Sequence, residues 1–124
     1  MKSSKYHPED SPHLGGHNFK THIDRGILYY TRDNLNCKSM LDIGCGPGGM
    51  VDVALKLNFD SYGIDGDHRL EHTHPERITI HDFTLGKVDH NRIYDLGYSC
   101  EFVEHVEEQY LPNFVHSFQQ CKHL

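Results

Sequence analysis

The sequence predicts an α/β protein, a parallel sheet with helices on its faces. Three observations lead there. Segments with helical apolar spacing alternate with short apolar runs. A glycine-rich turn, "GCGPGG" from Gly44 to Gly49, directly follows the first apolar run. Acidic residues stand at the ends of the later runs, where a parallel sheet presents its ligand-binding edge.

The 124 residues are enough for one domain, expected over 21–124 behind an N-terminal arm, 1–20. The arm holds Pro8, Pro12, Gly15 and Gly16 among polar residues and lacks an apolar pattern. A first helix is expected near Thr21. Thr21 and Asp24 have capping-box spacing, and Ile23, Ile27 and Tyr30 share one face. "SMLDI", 39–43, reads as the first strand. A second helix after the glycines carries Val51, Ala54 and Leu55, and Asn58 suits its left-handed end. "SYGIDGD" gives a second strand, and the His-rich segment 68–76 a loop or short helix. "RITIHDF" alternates Ile78 and Ile80 as a third strand, and "RIYDLGYS" is a fourth, weakened by Gly97. From Glu107 the chain turns helical, with Leu111, Phe114, Val115 and Phe118 as the apolar face and Pro112 in the first turn.

The net charge of −6 and the absence of a Lys/Arg cluster argue against a nucleic-acid partner. No run of about 18 apolar residues signals a membrane span, and the N-terminus has no apolar signal region. Cys37, Cys45, Cys100 and Cys121 are spread out with no C-x-x-C, which suits reduced thiols in the cytoplasm. His7, His13 and His17 are too irregularly spaced to signal a metal site.

Gly44, Gly46 and Gly49 spell G-x-G-x-x-G, a spacing that cradles nucleotide cofactors. Glycine supplies the turn's backbone angles and leaves room for a ligand against the main chain. The helix beginning near Gly48 adds free N–H groups. The spacing alone fits a dinucleotide as well as a cofactor without phosphate. Asp42 separates them. A buried carboxylate beside the turn would repel a pyrophosphate but favour S-adenosylmethionine, which carries a sulfonium and an ammonium. The plain alternative is that Asp42 caps the following turn.

"LDIGCGPGG" closely resembles the first motif of the class I S-adenosylmethionine-dependent methyltransferases, which are Rossmann-like. The resemblance extends in order over 21–121. It implies a sheet of order 3-2-1-4 and cofactor contacts from Asp42, Gly44, Cys45, Gly46 and Gly48. Asp65 and Gly66 in "YGIDGD" match the segment whose acid holds both ribose hydroxyls, with Asp67 as the competing choice. Asp82 and Phe83 in "HDF" match an acid for the adenine amino group and a neighbour packing on the ring; an ordinary core role for Phe83 stays open.

"YDLGYSCEFVEHV" resembles the family's fourth-strand motif, with Asp95 at its start and Glu101, Glu104 and His105 at its end. Glu101 is carried over as a cofactor contact. A turn from Glu101 would put Glu104 and His105 on one face. Two carboxylates and an imidazole can hold a divalent ion, as a similar E-x-x-E-H does in the small-RNA 2′-O-methyltransferases. His105 can alternatively serve as a general base, or the group can simply order the turn. Family members usually build seven strands, and here the pattern ends at "QQCKHL". A truncated domain with an exposed fourth-strand edge is therefore expected, open to homodimerisation there. The implied activity is methyl transfer to an unidentified, small-molecule acceptor; a catalytically incomplete cofactor-binding remnant is the alternative. An NAD-binding oxidoreductase rests on the glycine spacing alone.

Overall fold

The computed structural model describes residues 23–100 and 107–124. The arm, Thr21 and the "EFVEHV" segment lie outside the described residues. Among these the chain forms helix α1 (Arg25–Asn34), strand β1 (Ser39–Ile43), helix α2 (Gly49–Lys56), strands β2 (Asp60–Asp65), β3 (Ile78–Ile80) and β4 (Tyr94–Tyr98), helix α3 (Leu111–Phe118) and strand β5 (Cys121–His123). The five strands make one sheet in the order β3-β2-β1-β4-β5, every pair parallel.

Strand β1 is buried along its whole length because neighbours flank it on both edges and side chains cover both faces. Alternation along the strand divides the core. Met40 packs with Leu28, Met50, Ala54 and Leu96 on the side of α1 and α2. Leu41 and Ile43 pack with Ile64, Phe83, Tyr94 and Phe114 on the side of α3. Asp42 therefore falls on the Met40 side, in a strand otherwise free of charge.

Helix α1 starts later than its sequence suggests. Asp24 is the cap, accepting from the Ile27 N–H at 3.1 Å, while its own N–H donates to Met50 Sδ at 3.2 Å. Its buried stripe is Leu28 and Thr31, whereas Ile23 and Tyr30 are exposed. The Thr31 hydroxyl buries without cost because it donates to the Ile27 carbonyl at 2.8 Å. In α3 most of the expected face holds: Phe114 is buried and Leu111 and Phe118 pack against the same cluster, whereas Val115 is exposed and Ser117 is buried in its place.

The order 3-2-1-4 holds, and β5 extends it, correcting the expected end after the fourth strand. Tyr94 pairs with Cys121 and Leu96 with His123, so β4 is not an exposed edge. Gly97 explains the fit. A Cβ there would stand 2.8 Å from Cys121 Sγ, so the glycine that weakens the strand pattern admits the next strand.

Charged side chains tie the opposite, N-terminal end. The Asp95 carboxylate accepts from the Lys38 N–H at 2.7 Å and the Ser39 N–H at 3.2 Å, clamping β1 to β4. Burial opposes its charge, but these N–H groups and Lys122 hold the carboxyl below its usual range. Asp60 binds both Arg77 and Arg92, drawing together the starts of β2, β3 and β4.

Candidate functional site

Strand order reverses direction between β1 and β4, since β2 lies on one side of β1 and β4 on the other. Open parallel sheets bind ligands at such a switch point, beyond the carboxyl ends of the strands. The glycine turn leaves β1 there. Gly44, Gly46 and Gly48 have φ of 78°, 56° and 92°, the left-handed region that glycine enters without strain. Gly49 does not; it starts α2, with Gly48 as the cap. The glycines that need a left-handed conformation are thus 44, 46 and 48, a tighter pattern than the G-x-G-x-x-G spacing indicated.

The turn is tied to β2. The N–H groups of Gly44 and Cys45 donate to the Ile64 carbonyl at 2.8 and 3.0 Å. Gly46 N–H donates to Asp65 Oδ1 at 3.2 Å, and Asp67 N–H to Asp65 Oδ2 at 2.9 Å. Gly63 makes the approach possible, since a Cβ there would lie 2.8 Å from Cys45 Sγ. Cys45 is buried. Burial first, then the Asp42 and Asp65 carboxyls, push its thiol well above the usual range, so it is no nucleophile at neutral pH.

Asp42 is the site's unusual group. It is 3% exposed, and no hydrogen bond reaches its carboxyl among the described residues. Burial, with Asp65 adding repulsion, pushes its pKa up to about 8. Its register partner on β4 is Tyr98. Burial, then Cys100 and the Asp42 and Asp24 carboxyls, push that phenol up, so it remains an O–H. A capping role for Asp42 finds no bond to support it.

The other acids are more committed. Asp67 is fully buried and holds Arg69 through both oxygens, at 2.8 Å each. Between them, Gly66 is half-buried at the bend leaving β2. His81 N–H donates to the Asp65 carbonyl at 2.8 Å, which brings Asp82 to the same end of the sheet. Asp82 accepts from Thr84 N–H and Oγ1 at 2.9 and 2.7 Å, capping a short 3-10 turn. Phe83 packs edge-on between His81 and Phe114 in the α3 core, the alternative weighed from sequence. Glu101, Glu104 and His105 lie outside the described residues. Among those described, no group of three or more His, Cys, Asp or Glu side chains is placed to hold a metal ion. No described helix is long and apolar enough to cross a membrane.

Two residues of the site escaped the sequence reading. Tyr98 shows no signal beyond its place in a strand. His72, in the loop after β2, donates from Nε2 to the Gly46 carbonyl at 2.9 Å.

A parallel sheet of this order, with a left-handed glycine turn at its switch point, is a Rossmann-like α/β fold of the type that binds nucleotide cofactors. No family model and no curated protein matches the chain. Among solved structures the chain is similar to the crystal structure of the methyltransferase domain of bacterial CtHen1, with a TM-score of 0.54 and 24% sequence identity. That match covers 72% of this chain and 54% of the other, so this chain spans about half of that one. At this identity the likeness establishes a methyltransferase-like fold.

Proposed function

We propose that this chain binds S-adenosylmethionine and belongs to a methyltransferase acting on a small-molecule acceptor. The carrying observation is Asp42, a buried carboxyl beside the glycine turn with no described hydrogen bond. A bound cation would favour ionisation of that carboxyl and pair with it, whereas a pyrophosphate would place further negative charge beside Asp65 and hold Asp42 protonated. The residues present therefore fit a cationic cofactor better than NAD.

In this reading Gly44, Cys45, Gly46 and Gly48 bring the main chain against the ligand, and Asp42 offsets its positive charge. Asp65, oriented by the Gly46 and Asp67 N–H groups, is the acid for the ribose hydroxyls at the Gly66 bend. Asp82 faces the adenine amino group, with Phe83 supporting its turn from the core. Glu101 adds a cofactor contact and His105 serves as base for an oxygen acceptor. When bound, the cofactor supplies a methyl group already activated on a sulfonium. The protein's part is then chiefly orientation of the acceptor and exclusion of water.

Calorimetric titration with S-adenosylmethionine, with NAD as control and Asp65→Ala as second protein, tests this. The expected result is a dissociation constant between about 1 µM and 1 mM for the first ligand only, weakened by the substitution. Binding of NAD alone would overturn it. The second reading is a cofactor-binding remnant without catalysis. Methyl transfer to a panel of small molecules and a short RNA, with and without Mn²⁺, separates the two. The RNA arm probes Glu101, Glu104 and His105 as metal ligands.

A further inference from the structure

The far limb of the glycine turn has two ties of its own, both to Cys45: Gly48 N–H donates to the Cys45 carbonyl at 3.1 Å, and the Cys45 thiol makes a long, weak contact of 3.6 Å with the Gly46 carbonyl. Gly46 and Gly48 have no side chains, Pro47 has no N–H, and both glycines sit at left-handed φ. The near limb is secured by the Ile64 carbonyl. At Gly46 the far limb is further held by groups from the end of β2 and from the loop after it. Asp65 takes the Gly46 N–H at 3.2 Å, and His72 donates to the Gly46 carbonyl at 2.9 Å. The His72 ring also lies over Gly48, where an added Cβ would come within 3.2 Å of Cδ2. Both polar main-chain groups of Gly46 are thus fastened from one side.

We infer that His72 is a positioning residue that holds the Gly46–Gly48 limb ready for the cofactor. This rests on the proposed cofactor reading, because the limb matters as the wall against which that ligand lies. The bond has a fixed direction: a carbonyl only accepts, so Nε2 carries the hydrogen. Without His72 the Gly46 carbonyl loses its one close donor, and the limb, still tied through Asp65 and Cys45, is less firmly held in its left-handed conformation. The entropy of ordering it would then be lost at binding, which weakens the ligand without removing any contact to it. The effect falls on affinity more than on stability, because His72 is half-buried at the rim of the site and outside the core clusters.

The test uses the full chain and two variants. His72→Phe keeps a ring over Gly48 without a donor; His72→Gln keeps a donor without the ring. S-adenosylhomocysteine is titrated calorimetrically into each, melting temperatures are recorded, and amide hydrogen exchange at Gly46 is followed in the ligand-free proteins. His72→Phe is expected to weaken binding about five- to tenfold and to speed exchange at Gly46. His72→Gln should recover most of both, with melting temperatures close to the parent's. Unchanged affinity and exchange in His72→Phe would overturn the inference, as would equal losses in the two variants. If the parent protein binds neither S-adenosylhomocysteine nor S-adenosylmethionine, the cofactor reading fails by that arm alone. The exchange arm still decides for or against His72 as the residue that holds the limb.

Discussion

Replacing Asp42 by asparagine is expected to change the pH dependence of stability and to abolish affinity for a cationic ligand at the same time. The Asp42 carboxyl shifts from the usual 3.8 to about 8 in the folded chain. Below the lower value both folded and unfolded chains are protonated, and burial of the group carries no ionisation penalty. Above it the unfolded chain ionises while the folded chain does not. Stability therefore falls as pH rises, by about 1.4 kcal/mol per unit, until the folded group ionises near pH 8. Between the unfolded value and pH 7 the accumulated loss is about 4 kcal/mol. Asparagine is almost the same shape and does not ionise. Its buried amide lacks partners too, at a cost of about 1–3 kcal/mol that does not vary with pH. The quantity to read is therefore the slope, not the offset. Urea denaturation of both proteins at steps from pH 4 to pH 8 should show the variant gaining on the parent by about 4 kcal/mol. Calorimetry should show that the variant has lost S-adenosylmethionine. A stability difference that stays flat across that range would refute the argument, since it would mean that Asp42 ionises in the folded chain as it does in the unfolded one.

Three further outcomes follow from the geometry. Gly97→Val should destabilise by about 1–3 kcal/mol, because a branched side chain there meets Cys121 and displaces β5; chemical denaturation measures it, and faster exchange of the Tyr94 N–H, which donates to the Gln120 carbonyl, locates it. Asp95→Asn should cost about 1–2 kcal/mol at pH 7. The Asp95 carboxyl is held below its usual range, so its stabilisation is present above the unfolded value and fades as pH falls through the folded one; the penalty should shrink in acid melts. The Cys45 thiol should resist a thiol reagent at pH 8 in the folded chain and react at once in urea, since burial holds it protonated. Ready labelling of Cys45 in the native protein would mean that the glycine turn is not closed over it.

Local chemistry made much of the site legible in the sequence. A run of five buried strand residues leading into glycines has few other solutions, and three of those glycines do take left-handed angles. Asp42 and Asp65 were readable because their positions relative to that turn are set within β1 and by the length of one helical crossover. Beyond such local reach the reading failed in specific ways. Strand β5 has three residues, too few for an alternating pattern to register. The inward face of α1 was legible only in part: Ile27 does pack against the cluster of Met40 and Met50, but Leu28 and Thr31 are the buried residues and Ile23 and Tyr30 are exposed. His72 meets Gly46 across 26 residues of chain, and its own segment carries no periodicity to reveal that meeting.

The sequence by itself determined the class of fold, the run of elements into β4 and the glycine turn. Each of these depends on properties a residue carries with it: a missing Cβ, an apolar surface, a period along the chain. Only the tertiary structure decided what each acid does. Asp67 is committed to Arg69, Asp82 to Thr84 and Asp95 to the start of β1, while Asp42 is buried beside Asp65 with no described donor. The physical reason is that a carboxylate's role is set by the donors around it, and those donors come largely from segments that the fold alone brings near.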